Sequence, residues 1–255
     1  MSVRVVKVGG AALADGDWLG ELATHIAREA PCVIVHGGGP DISALAERLG
    51  IPVSWSEGRR VTTPDALDAA SMVLTGRINK RIVRALLAAG VDGIGISGED
   101  GRLVEATLKD DGALGRVGVV ETVRAELLQW LVSRGLVPVV SPISLGADGD
   151  ALNVNADEVA GAVAAALAAP ELLFVTDVDG VRDGSGVRRS DLSAEEASAL
   201  IDTRAAQGGM AVKLEAALRA LRAGVPAVRI GRFDALHDVR AGTTIRAHQE
   251  VVACR

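Results

Sequence analysis

Short apolar runs alternate along the chain with longer stretches whose apolar residues recur every three or four positions. Val3 to Val8, Val33 to Val35, Val91 to Ser97, Leu136 to Val140, Leu172 to Thr176 and Ala227 to Ile230 are dominated by apolar residues and read as buried strands. Between them, helical spacing predicts a helix over Trp18 to Ala30, with Leu19, Leu22, Ala23 and Ile26 on one face, and another over Asp41 to Leu49. Further helices are expected from about Asp65 through Leu87 and from about Val123 to Arg134. An alanine-rich helix is introduced by Asn153-Val154-Asn155-Ala156-Asp157 and ends near Pro170. Gly208-Gly209-Met210 precedes a helix through about Ala223 that carries Lys213 in its first turn. Ser193-Ala194-Glu195-Glu196 has the form of a capping box opening a short helix. Asp110 to Gly118 suggests a hairpin-like excursion, and Gly242 to Ile245 a late turn and edge strand. Strands alternating with helices predict an α/β fold of three layers, with a mostly parallel central sheet and helices on both faces. The proline of Ala169-Pro170-Glu171 marks the expected boundary between an N-terminal lobe, 1–170, and a C-terminal lobe, 171–255.

Composition narrows the function classes. An apolar fraction of 49% over 255 residues supports a large core, while aromatic residues at 2% leave little to stack on bases. A formal net charge of −6 argues against a broad basic face for nucleic acid, so any anion site must be local. Cys32 and Cys254 form neither a disulfide framework nor a metal set, and His25, His237 and His248 lack metal-ligand spacing. The N-terminus runs into a strand pattern without the apolar region of a signal peptide. The longest alanine-rich run, Val159 to Ala169, is well short of the roughly 20 residues needed to cross a bilayer. These features read as a cytoplasmic, soluble protein that binds neither membrane nor nucleic acid.

Candidate chemistry centres on Val33-Ile34-Val35-His36-Gly37-Gly38-Gly39-Pro40, a strand that runs through three glycines into a helix. Glycine there leaves backbone N–H groups open to a ligand, and the following helix start favours an anion. A tight β–α turn without a ligand explains the same residues equally well. Lys7-Val8-Gly9-Gly10 ends the first strand, so both glycine turns should open on the carboxyl-end rim of one sheet. Lys213 behind Gly208-Gly209 adds a further anion-suited piece. His36 either polarises the glycine loop or simply caps a buried strand, and the Arg59-Arg60 pair reads by itself as solvated charge. No Gly-x-x-x-x-Gly-Lys-Ser/Thr and no Gly-x-Gly-x-x-Gly after a strand is present, and the protein-kinase signature is absent.

Taken in order, Lys7-Val8-Gly9-Gly10, His36-Gly37-Gly38-Gly39-Pro40, Arg60-Val61-Thr62, Asn153-Val154-Asn155-Ala156-Asp157, Thr176-Asp177-Val178-x-Gly180 and Gly208-Gly209-Met210-x-x-Lys213 resemble the amino-acid kinase family over nearly the whole chain. The resemblance implies a carbamate kinase-like fold of two lobes. It also implies ATP-dependent phosphorylation of a side-chain carboxylate, with Arg-Val-Thr and Asn-Val-Asn-Ala-Asp pointing to N-acetyl-L-glutamate and to arginine biosynthesis. By the same resemblance Lys7 and Lys213 would neutralise the transferring phosphoryl group and Asp157 would hold both lysines. Gly9, Gly10, Gly38 and Gly39 would donate backbone N–H groups. Arg60 and Asn153, with Asn155 beside them, would bind the amino-acid substrate. Thr176, Asp177, Val178, Gly180, Gly209 and Met210 would belong with Lys7 and Lys213 to the nucleotide site. Magnesium would arrive on the nucleotide phosphates, since the sequence offers no carboxylate cage. A homodimer insensitive to arginine is expected, because the first strand begins at about Val3 without the extra N-terminal helix of arginine-inhibited members. Ser141-Pro142-Ile143 departs from the family pattern and leaves the shape of the substrate pocket open. Kinases of N-succinylglutamate or of carrier-linked aminoadipate or glutamate share these motifs, and a non-catalytic sensor on the same fold would not need the lysines.

Overall fold

The computed structural model describes residues 2–9, 13, 16–29, 31–56 and 59–247. Its first half contains β1 (Arg4–Val8), α1 (Gly16–Glu29), β2 (Cys32–His36), α2 (Gly39–Arg48), a short ribbon of β3 (Trp55–Ser56) and β4 (Arg59–Arg60), α3 (Pro64–Ser71) and α4 (Asn79–Ala88). There follow β5 (Gly93–Ser97), β6 (Val104–Leu108), β7 (Val117–Val123), α5 (Ala125–Ser133), β8 (Val137–Ser141), β9 (Ile143–Gly146), β10 (Ala151–Val154) and α6 (Ala156–Ala166). The chain then forms β11 (Leu172–Val175), β12 (Asp191–Ser193), α7 (Ala194–Asp202), α8 (Gly208–Arg222), β13 (Ala227–Gly231) and β14 (Thr243–Arg246).

Eight strands form one sheet in the order β12-β14-β13-β11-β1-β2-β8-β5, parallel except where β13 meets β14. The period of two divides its side chains between two cores. Val5, Val33, Val35, Leu172 and Phe174 face the cluster shared with α6 and α8, whereas Val6, Val8, Ile34, Leu173 and Val175 face the cluster shared with α1 and α4. On α1 the predicted stripe of Leu19, Leu22, Ala23 and Ile26 is buried in that second cluster. Each leucine or isoleucine so buried contributes about 1.5–3 kcal/mol. The same alternation directs Lys7, in phase with Val5, toward α6, and His36, in phase with Ile34, toward α4.

Several elements differ from the sequence expectation. The helix expected over Asp65 to Leu87 is interrupted by a π-helical segment, Met72–Ile78, between α3 and α4. Thr63 starts it, its Oγ1 accepting from the Ala66 N–H at 3.2 Å. β14 is not an edge strand, because β12, a three-residue strand without a legible alternation, pairs outside it. β9 and β10 were not apparent as strands, since each is only four residues long; with the β6–β7 hairpin they close a small separate sheet. α8 begins at Gly208, which puts Lys213 in its second turn rather than its first. The capping box at Ser193 is formed in full, and Cys32 is buried in the core. His248 and Cys254 lie outside the described residues. Among the described residues no helix is long and apolar enough to cross a membrane.

Candidate active site

Two cavities open along the carboxyl ends of the central strands. The first, of about 250 Å³, is lined by Lys7 near the end of β1 and Gly9 after it, by Gly38 and Gly39 after β2, and by Arg60 and Asn153 among others. The second, of about 530 Å³, is lined by Asp177, Val178, Gly180, Gln207, Met210 and Arg232. At the first cavity one carboxylate meets two ammonium groups: Asp157 and Lys7 line that cavity, whereas Lys213 lines neither but feels the charge of Asp177 from the second. Asp157 lies in the first turn of α6, directly above the strand face to which Lys7 points, and its Oδ1 is 2.6 Å from Lys7 Nζ. Its Oδ2 is 3.7 Å from Lys213 Nζ on α8.

The electrostatics of this trio follow from burial and pairing. Burial opposes charge on Asp157, but the two ammonium groups outweigh it and hold the carboxyl below the usual carboxylate range. Lys213 is pushed below the ordinary lysine value by burial and by Lys7, against the opposing pull of Asp157 and Asp177. Two positive charges with one negative leave the trio net positive beside the first cavity, which is suited to a polyanion.

The asparagines flanking Asp157 do different work. Asn155 caps α6, its Oδ1 accepting from the Asp157 N–H at 2.8 Å, and it also lines the first cavity. Asn153, at the end of β10, donates to Thr62 Oγ1 at 3.2 Å. Arg60 is buried beside α2, where its guanidinium donates to Ser43 Oγ at 2.6 Å and lies 4.7 Å from the Trp55 ring. Trp55 faces it because β3 and β4 pair these two positions directly. Burial lowers the Arg60 pKa, yet a guanidinium remains cationic at neutral pH.

The glycine loop has a steric requirement at Gly38. A Cβ there would lie 2.2 Å from Ile78 Cδ1 and 2.9 Å from Leu74 Cδ2, both on the π-helical segment. Proline at the second position of α2 leaves the helix start intact, and the N–H groups of Gly38 and Gly39 meet no protein acceptor among the described residues. Gly180 is required for another reason, a φ of +143° that side chains rarely adopt. Thr176 is tied locally, its hydroxyl donating to Asp177 Oδ1 at 2.9 Å.

Of the residues expected at the site, the structure brings Lys7, Gly9, Gly38, Gly39, Arg60, Asn153, Asn155 and Asp157 to the first cavity. Asp177, Val178, Gly180 and Met210 line the second. Gly209 lies in the first turn of α8 and lines neither of these two cavities. Gly10 lies outside the described residues. Sequence reasoning missed Ser43 and Trp55 around the first cavity, and Gln207 and Arg232 around the second. A tryptophan five residues before the Arg-Val-Thr segment, across a turn, was the available signal for Trp55. Among the described residues no group of three or more His, Cys, Asp or Glu is placed to hold a metal ion.

His36 is fully buried, and its imidazole is held at a pKa of about 4, chiefly by desolvation, with Lys7 and Lys80 adding to the effect. The folded value lies below the ordinary 6.5, so the unfolded chain binds the proton more readily. Stability is therefore complete above the ordinary value and should fall by up to about 3 kcal/mol as the pH drops toward the folded value. Urea unfolding between pH 7 and 4 measures this, and His36→Asn should flatten the decline; an equally steep decline in that variant would assign it to other groups.

The sequence model of the amino acid kinase family matches residues 2–232. A protein from Roseiflexus sp. (strain RS-1) described as acetylglutamate kinase is 47% identical over 249 residues, covering 96% of this chain and 94% of its own. Another acetylglutamate kinase, from Rubrobacter xylanophilus, is 45% identical over 245 residues, covering 95% and 94% of the two chains. A solved structure from Streptococcus mutans UA159 superposes with a TM-score of 0.85 at 32% identity, covering 96% of this chain and 99% of that one. A Giardia carbamate kinase shares the fold at 14% identity, with a TM-score of 0.73 over 97% of this chain and 99% of its own.

Proposed function

The chain belongs to the amino acid kinase family, and we propose that it transfers the γ-phosphoryl group of ATP to the γ-carboxylate of N-acetyl-L-glutamate, giving N-acetyl-L-glutamyl 5-phosphate and ADP for arginine biosynthesis. The observation that carries the reading is Asp157 held between Lys7, which lines the first cavity, and Lys213, which feels the charge of Asp177 in the second. The nearly full-length likeness to acetylglutamate kinases supports the choice of substrate.

A glutamate-type carboxylate is already ionised at neutral pH, so the nucleophile needs no general base. Catalysis then reduces to alignment and to neutralising charge on the transferring group. Lys7 and Lys213 supply that charge from β1 and α8, and Asp157 holds them in place as an ionised anchor that accepts no proton. Backbone N–H groups of Gly9, Gly38 and Gly39, and of Gly10 by the family pattern, receive the phosphoryl and carboxylate oxygens. Arg60 and Asn153 bind the α-carboxylate and acylated nitrogen end of the substrate, with Asn155 keeping the start of α6 in register. Thr176, Asp177, Val178, Gly180 and Met210 form the nucleotide side, to which Gly209 belongs by the family motif alone. Mg²⁺ carried on the nucleotide phosphates neutralises their charge when bound. The first cavity is lined by residues before Pro170 and the second by residues after it, which supports two lobes meeting there. By the family resemblance the enzyme is a homodimer, and a monomer in sedimentation velocity would remove that part of the reading.

ADP release in the presence of ATP and Mg²⁺, against N-acetyl-L-glutamate, N-succinyl-L-glutamate, free glutamate and aspartate, tests the assignment. Turnover with N-acetyl-L-glutamate is expected; turnover with another acylated amino acid alone would keep the mechanism and change the substrate. Silence across the panel would sink the assignment.

Arg60→Ala should act on one substrate. Losing a charge-assisted contact to a carboxylate raises the KM for N-acetyl-L-glutamate by about 30-fold, with kcat changed only a few-fold. An effect confined to the KM for ATP would remove Arg60 from the amino-acid cavity.

A further inference from the structure

His36 takes no part in the chemistry above, yet it is fully buried one residue before the glycine loop. Both of its ring nitrogens meet partners whose polarity is fixed. Nδ1 lies 3.1 Å from the carbonyl oxygen of Gly37, and Nε2 lies 3.3 Å from Asn79 Nδ2. A carbonyl only accepts, so Nδ1 carries the hydrogen. The amide of Asn79 is oriented by its own neighbours: Nδ2 donates one hydrogen to the Val139 carbonyl at 2.8 Å and shares the other between His36 Nε2 and the Ile96 carbonyl at 3.4 Å, and Oδ1 accepts from Lys80 Nζ at 3.2 Å. Nε2 is consequently the bare acceptor of a neutral ring, as the lowered imidazole pKa requires.

The surrounding sequence makes room for this chain of bonds. A Cβ at Gly95 would lie 1.8 Å from Asn79 Oδ1, so the glycine in β5 provides the space that the Asn79 amide occupies. The π-helical segment ends immediately before Asn79, and its Leu74 and Ile78 press on Gly38 from the same side. Gly37 N–H donates to the Val8 carbonyl at 3.1 Å, and the Gly38 carbonyl accepts from the Ile42 N–H at 3.0 Å. The remaining carbonyl of the turn, that of Gly37, is the one held by His36.

We infer that Val139, Asn79 and His36 form a positioning relay that fixes the Gly37–Gly38 peptide plane so that the Gly38 N–H faces the cavity. In a trans peptide the N–H points opposite to the carbonyl, so pinning one directs the other. The inference rests on the kinase reading, in which the Gly38 N–H meets the reacting oxygens. His36 and Asn79 touch no reacting atom and act through the loop. A donor held in place before reaction needs no reorganisation in the transition state, so losing the relay should appear in kcat.

His36→Asn keeps an amide N–H near the Nδ1 position, whereas His36→Gln reaches the Nε2 position and leaves no donor for Gly37. With N-acetyl-L-glutamate as substrate, H36N should retain kcat within about threefold and H36Q should lose about 30-fold, with the KM for ATP within about twofold in both. Equal kcat values in the two variants, or a loss carried by the KM for ATP alone, would overturn the relay. Long-range ¹H–¹⁵N correlation of histidine-labelled wild-type protein at neutral pH reads the tautomer without substrate. A hydrogen on Nδ1 is expected, and one on Nε2 overturns the relay whichever substrate the enzyme takes. Silence of the wild type on the substrate panel would instead count against the kinase reading.

Discussion

Lys213→Ala lowers kcat with N-acetyl-L-glutamate by about 10³-fold and leaves both KM values within a few-fold. The magnitude follows from where charge develops. In a loose phosphoryl transfer the ground-state nucleotide already carries its charge, and the transition state spreads it over the oxygens of the moving group. Lys213 reaches Asp157 Oδ2 from α8, while Lys7 reaches Oδ1 from β1, and the Lys213 side chain is only 20% exposed. A cation in such a site is worth far more than on a surface. Steady-state ADP release and nucleotide binding by calorimetry separate the effects: a variant that binds ATP normally and turns over normally would exclude Lys213 from the reaction. Lys213→Arg restores little, because the planar guanidinium does not reproduce a point charge 3.7 Å from Asp157 Oδ2.

Asp157→Asn is expected to cost activity and stability together. The variant leaves Lys7 and Lys213 facing each other without the anion between them. Removing one partner of a buried ion pair typically costs about 3–5 kcal/mol. The lower end applies here, because Lys213 retains partial access to water. Turnover should fall by about 10²-fold, since both ammonium groups lose the contact that aims them. The sign of a ligand effect distinguishes this from simple misfolding. Inorganic phosphate, an anion able to replace the lost carboxylate, should raise the melting temperature of D157N more than that of the wild type. An identical shift in both proteins would mean that Asp157 does not organise the lysines. Folding stability of the wild type should also decline in acid as Asp157 becomes protonated, since its folded pKa lies below its unfolded one and its contribution is lost as pH falls through the folded value.

Neither substitution could have been ranked without coordinates, although both residues stood out in the sequence. Lys7 was legible because it lies at the end of a buried strand beside a diglycine, and Asp157 through the Asn-Val-Asn-Ala-Asp motif that carries the family resemblance. Their 2.6 Å contact was not legible, since 150 positions of chain separate them. Gly209 fell in the motif yet lines neither cavity, although Gln207 and Met210 around it line the second. Asn79 gave no signal at all: a single asparagine within an otherwise helical pattern looks like surface, and only its burial against β5 and β8 shows otherwise.

The sequence by itself determined the alternation of strands and helices, the two-sided burial of β1, β2 and β11, and the glycine turns, because each depends on periodicity or on a local backbone requirement. Through its ordered motifs it also carried the family likeness. Tertiary structure alone decided which residues meet: Asp157 between two lysines, Arg60 beneath Trp55, and His36 joined to Asn79. Short strands such as β9, β10 and β12 belong to the same class, since three or four residues hold too little pattern and are fixed by the partners they pair with. Contacts between distant segments are set by how layers pack, and packing is a property of the whole chain rather than of any window along it.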